Sequence, residues 1–229
     1  MDLVTGLLWF LAFLFSTTVH EAMHAWAAWR GGDPTAYHGG QVSLSPIPHI
    51  KREPIGMLVV PLVTALTQGW ALGWASTPYD PYWAARYPNR AAIMALAGPV
   101  GNLLIAIAAL ILLKLGLAVG WFEPAPTLNL QRLVIAPGGL ETLFGTLLSI
   151  LLVLNVLLAA FNLIPLPPLD GASVVGLFVP AFSRRMRELS TNPMFSLIGL
   201  LIAWRVFPLI VRPLFSFVVW LVHPGVRYG

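Results

Sequence analysis

Residues 3–29 read LVTGLLWFLAFLFSTTVHEAMHAWAAW, and the rest of the chain is best read outward from them. A helix over this run is about 40 Å long at about 1.5 Å per residue. The hydrocarbon core of a bilayer is roughly 30 Å thick, so the run is long enough to span it. Arg30 and Gly31-Gly32-Asp33-Pro34 stop the helix. Asp2 stands where a signal peptide would carry positive charge, and no small-residue cleavage site follows, so the segment is expected to be retained. His20, Glu21 and His24 lie near its C-terminal end. Ionisable groups inside an apolar helix are costly unless something coordinates or neutralises them.

The whole chain has the same character. Of 229 residues, 58% are hydrophobic, 10% are charged and none is cysteine. Mean hydropathy is +0.80. Ordinary soluble domains carry roughly a quarter charged residues. The composition therefore excludes a water-soluble enzyme, a disordered tail and a disulfide-stapled domain. It implies an integral membrane protein with a single membrane-embedded domain over 1–229. The net charge of +4 does not imply nucleic acid. The basic residues fall in loops beside apolar segments, where they set orientation.

The expected fold is an all-α polytopic membrane protein with four to five spanning helices, a re-entrant segment and a short strand-containing loop. Residues 35–53 are polar, and Gln41-Val42-Ser43-Leu44-Ser45 alternates with period two, which predicts a short strand. Residues 55–75 are apolar but interrupted by Pro61, Gln68, Gly69 and Gly73. Spanning helices are expected over 91–119 and 139–163, separated by a loop at 120–138. A proline-rich loop, 164–171, carries Pro165, Pro167, Pro168 and Asp170. A short helix over 172–182 follows it. A last membrane segment, 195–222, is broken by Arg205, Pro208, Arg212 and Pro213.

His20-Glu21-Ala22-Met23-His24 is an H-E-x-x-H motif. Positions i and i+4 of a helix share a face, so two imidazoles can bind one zinc ion while the glutamate serves as base. From residue frequencies, chance placement gives about 0.002 matches to this pattern in such a chain. A catalytic zinc takes a third protein ligand. Among the remaining His, Asp and Glu residues, Asp170 stands out, fixed between a proline run and Gly171. Spacing alone leaves it equally suited to cap the helix that follows.

With Ala97-Gly98-Pro99 and Asn102 opening a later helix, and Asn162, Pro165, Pro167, Asp170 and Gly171 following the next, the sequence resembles the site-2 protease family. These are intramembrane zinc metalloproteases, and the resemblance covers roughly residues 8–176. It is to the compact form, with no PDZ or CBS module. It implies one Zn2+ per chain held by His20, His24 and Asp170, with Glu21 as general base and Asn162 near the substrate or oxyanion. It implies a transmembrane protein as substrate, cleaved within or near its membrane segment, with the lipid bilayer as the other partner. The rival is a non-proteolytic membrane protein that binds or transports zinc. An intact Glu21 argues against it, since neither role needs a base beside the histidines.

Topology supplies an independent constraint. One ion can bind all three ligands only if the end of 3–29 and the end of 139–163 share a membrane face. The chain must then cross an even number of times between them, so 55–75 is expected to be re-entrant. Its Pro, Gly, Gln and Thr residues suit backbone buried in protein or lining water. The loops on the metal side carry Arg30, Lys51, Arg52, Arg86, Arg90, Arg184, Arg185 and Arg187, against Lys114 and Arg132 opposite. That asymmetry places the site toward the cytoplasmic face of the cell membrane. The predicted strand then lies near the zinc, so Val42, Ser43 and Leu44 are candidate substrate-binding residues through strand addition. His49, in the same loop, is read as solvated. Trp26, Trp29, Trp70, Trp74, Trp83 and Trp121 fall near span ends and are read as interfacial anchors. Asn102 suits either a bond to a neighbouring helix or the site itself.

Overall fold

The computed structural model describes residues 2–190 and 192–225. Helix α1, Leu3–Arg30, opens on Asp2, whose carboxylate accepts the Val4 and Thr5 N–H groups. Two short helices follow, α2 (Thr35–His38) and α3 (Pro46–Arg52). A π-helical turn over Ile55–Val59 leads into α4 (Val60–Gln68). Next come α5 (Pro81–Arg86) and α6 (Pro88–Ala118). Strands β1 (Glu123–Asn129) and β2 (Arg132–Ile135) pair antiparallel. The chain continues through α7 (Leu140–Asn162), α8 (Gly171–Val174), α9 (Pro180–Ser190) and α10 (Pro193–Val222). Among the described residues, α1, α6, α7 and α10 are long and apolar enough to cross a membrane.

The packing is that of a protein in lipid. Helix α6 buries Ala95, Ala97, Gly98, Gly101, Ala106, Ala109 and Gly116, and exposes Leu103, Leu104, Ile107, Ile111 and Leu115. Lipid tails satisfy large aliphatic side chains as well as a protein core does. Close helix approach therefore selects small residues for the inside. Helix α6 lies between α1 and α7 and is the centre of the bundle. Helix α10 packs loosely at the edge.

The apolar stretch after α3 is re-entrant. The Trp74 N–H donates to the Gly56 carbonyl (3.1 Å), so the outgoing and returning chain lie side by side. Helix α4 reaches back along α1, where Ala65 packs with Trp9 and Phe13. The return, 69–80, has no helical or strand pairing and runs back along α1 to Glu21. The Thr64 hydroxyl satisfies the Leu72 N–H on the way (2.9 Å).

Three expectations are corrected. The strand at 41–45 is absent. Ser45 accepts the Ile47 N–H to cap α3, the Ser43 hydroxyl accepts the Ser45 N–H, and His49 donates to the Ser43 carbonyl. Local side-chain bonds have won over a five-residue alternation. The two strands lie instead at 123–135, within the loop expected at 120–138. The last segment is not broken. Pro208 and Pro213 lie inside one continuous helix, as bilayer surroundings tolerate. Trp83 is also no interfacial anchor, since it is buried and its Nε1 donates to the Gly31 carbonyl (3.1 Å).

Candidate metal centre and active site

His20 and His24 sit one turn apart on α1, both buried, and Asp170 reaches them from the turn after the proline run. Asp170 Oδ2 lies 3.3 Å from His20 Nε2 and 3.3 Å from His24 Nε2. The two Nε2 atoms are 2.9 Å apart. Ligands about 2.0–2.1 Å from a tetrahedral zinc stand roughly 3.3–3.4 Å from one another, close to this triangle.

Hydrogen bonding on the far side of each ring fixes what the triangle presents. His24 Nδ1 lies 2.7 Å from the Met94 carbonyl oxygen, and His20 Nδ1 lies 2.6 Å from Asn102 Oδ1. Both partners are acceptors, so each Nδ1 carries the hydrogen and each Nε2 turns a lone pair inward. Asp170 Oδ2 is buried and has no hydrogen-bond partner. Three acceptor atoms thus converge on one point. A metal ion would resolve that arrangement, and zinc fits the donor set. Asp170 precedes α8 but its side chain makes no capping bond to that helix.

Helix α6 comes unusually close to this cluster. A Cβ at Gly98 would overlap His24 Nε2 and stand 2.6 Å from His20 Nε2. Only glycine permits the approach. Pro99 has no N–H to give the Ala95 carbonyl one turn back, and the neighbouring Met94 carbonyl receives His24. Gly98-Pro99 therefore shapes the His20–His24–Asp170 cluster as well as the helix packing.

A cavity of about 250 Å³ opens on the cluster. His20, Glu21, His24, Asn162 and Asp170 line it, with Ala75, Ser76, Thr77 and Tyr79 of the return segment opposite. The Thr77 hydroxyl donates to Glu21 Oε2 (2.7 Å) and holds that carboxylate in place. Asn162 gives one amide hydrogen to the Leu158 carbonyl (3.0 Å) and retains a second. Val42, Ser43 and Leu44 do not line the cavity, and Leu44 is exposed. His49, read as solvated, is buried against Ser43. Thr77, Met94 and Asn155 escaped the sequence reading. Thr77 had one available signal, a hydroxyl in a proline-containing stretch that had to return to the metal side.

The profile of Peptidase family M50 matches residues 8–206. The YwhC protein of Bacillus subtilis (strain 168), provisionally named a zinc metalloprotease, is 32% identical over 211 residues, which are 92% of this chain and 83% of its own. Rip2 of Mycolicibacterium smegmatis, with the same provisional name, is 28% identical over 158 residues, 69% of this chain and 52% of its own. No solved structure matches the chain significantly.

Proposed function

Because the chain belongs to Peptidase family M50, we propose that it is an intramembrane zinc endopeptidase that hydrolyses peptide bonds within or near the membrane segments of other proteins. The observation that carries the reading is the shared cavity. The Glu21 carboxylate faces the same space as the three converging acceptor atoms, at the edge of a helix long enough to span the bilayer.

His20, His24 and Asp170 would hold the ion. Zinc there supplies Lewis acidity, which acidifies water and polarises a carbonyl. Glu21 takes a proton from the attacking water and passes it to the leaving amine. Thr77 keeps Oε2 of that carboxylate turned into the cavity. Asn162 has an amide hydrogen free for the substrate carbonyl. The peptide must be extended to reach Glu21, so a helical substrate unwinds locally. The backbone available beside it is the return segment at 75–79 rather than 41–45. The basic loops orient the cavity toward the cytoplasmic face of the cell membrane.

The test separates binding from chemistry. Glu21→Gln keeps size and hydrogen bonding, so purified protein retains zinc and loses cleavage of a reconstituted single-span substrate. His20→Ala and His24→Ala lose both. Cleavage by Glu21→Gln at the wild-type rate refutes the mechanism.

A further inference from the structure

Behind His20 lies a buried polar chain that the proposed chemistry does not use. Ser16, Asn102 and Asn155 come from α1, α6 and α7, and each is fully buried. Asn155 Nδ2 donates to the Leu151 carbonyl (2.8 Å) and to Ser16 Oγ (2.9 Å). Asn102 Nδ2 donates to Asn155 Oδ1 (2.8 Å) and lies 3.4 Å from the Ser16 carbonyl. Asn102 Oδ1 then faces His20 Nδ1 at 2.6 Å.

The direction of this chain is not arbitrary. A backbone carbonyl can only accept. The Leu151 carbonyl therefore fixes which end of the Asn155 amide points toward it, and Asn155 must present oxygen to Asn102. Asn102 in turn presents nitrogen to Asn155 and the Ser16 carbonyl, and oxygen to His20. His20 Nδ1 is thereby obliged to carry the hydrogen. A flipped Asn102 would set oxygen against oxygen at both Asn155 and Ser16. It would also turn an N–H toward His20 Nδ1, moving the ring hydrogen to Nε2, where it blocks a metal. His24 needs no such device, because a backbone carbonyl holds its Nδ1 directly.

We propose that Asn102 and Asn155 are positioning residues, a directed amide relay from the Leu151 carbonyl to His20 that holds the ring in its metal-ligating tautomer. This rests on the proposed metal reading of His20, His24 and Asp170. Outer partners of ligating histidines are worth about 10–100-fold in metal affinity. The relay differs from interhelical glue in predicting that affinity follows the acceptor offered to Nδ1, whatever happens to stability.

The full chain, purified in detergent, is titrated with zinc against a chelator, with apo thermal stability measured in parallel. Asn102→Leu removes the acceptor and is expected to lower zinc affinity about 10–100-fold. Asn102→Asp retains an oxygen toward His20 and is expected to bring affinity back toward wild type, at a cost in apo stability because its second oxygen meets those of Asn155 and Ser16. Asn155→Leu leaves the Asn102 amide unclamped and is expected to fall between them. Ser149→Ala removes another fully buried hydroxyl, bonded to the Gly145 carbonyl, and should cost stability while leaving affinity unchanged. Wild-type affinity in Asn102→Leu overturns the relay, and so does equal loss in the Leu and Asp variants. If Asn102→Leu fails to fold, Asn155→Leu against Asn102→Asp decides, and equal affinity in those two overturns it. A wild-type chain that binds no zinc overturns the metal reading and the relay together. Loss of zinc in His24→Ala with wild-type affinity in Asn102→Leu overturns the relay alone.

Discussion

Replacing Gly98 by alanine adds one methyl group, and the structure gives the size of the disturbance. The new Cβ would stand 2.6 Å from His20 Nε2 and overlap His24 Nε2. Carbon contacts settle at about 3.5 Å or more, so the rings or the helices must part by about 1 Å. Neither ring can swing away cheaply, since each Nδ1 is tied to α6, through Met94 and Asn102. Overpacking of this kind costs about 1–3 kcal/mol. The larger effect falls on geometry, because productive sites tolerate only about 0.5 Å. A displacement near 1 Å costs about 100-fold in rate. Gly98→Ala is therefore expected to bind zinc more weakly and to cleave about 100-fold more slowly. Gly101→Ala, three residues along, is the comparison. Its Cβ would meet Met23 Cγ at 2.9 Å, an aliphatic contact that leaves both imidazole rings untouched. It should retain zinc. Zinc affinity and cleavage rate, measured on both variants, check this. A Gly98→Ala protein with wild-type values for both refutes the claim that α6 touches the metal site.

Thr77→Val removes the hydroxyl that holds Glu21. A hydrogen bond to a charged group is worth about 1.5–3 kcal/mol. Turnover is expected to fall about tenfold or more with zinc affinity unchanged, and unchanged turnover would remove Thr77 from the site. Because both imidazoles must be unprotonated to ligate, zinc affinity should fall with decreasing pH, by up to about two decades per unit where two protons are displaced. A pH-independent affinity would mean that other groups hold the ion. Single cysteines at Gly32, Pro78 and Arg185 should be labelled from the cytoplasmic side, and one at Thr127 from the other. The native chain has no cysteine to interfere. Outside labelling at position 78 would make the re-entrant segment a true span.

What was legible in the sequence was what short-range rules govern. His20 and His24 share a helix face by spacing alone, with Glu21 between them, and Asp170 was marked by the proline run before it. Re-entry of the chain after α3 followed from crossing parity, a constraint that needs no contact map. Gln41–Ser45 misled because five alternating residues weigh little against serine hydroxyls and an imidazole that bind the local backbone. Pro208 and Pro213 misled in the other direction, because a helix in lipid has no better partner for its backbone than itself. Thr77, Met94 and Asn155 lie 56, 70 and 139 residues from the α1 groups they bond. No local pattern announces partners that distant, and only the packing of α1, α6, α7 and the return segment brings them together.

Asp170 belongs to none of the spanning helices, while both histidines belong to the first. An ion bound by all three is thus also a clasp, fastening α1 to a turn about 146 residues further along the chain. With α1 packed against α7, which ends at Asn162, the ion has only the eight residues 163–170 left to restrain. The spanning helices have their own packing and do not depend on the clasp. Chelation should therefore unfasten the 164–171 segment while leaving α1, α6 and α7 assembled. A zinc-starved cell would then hold an inserted, silent enzyme whose ligand turn is loosened, ready to close again when metal returns.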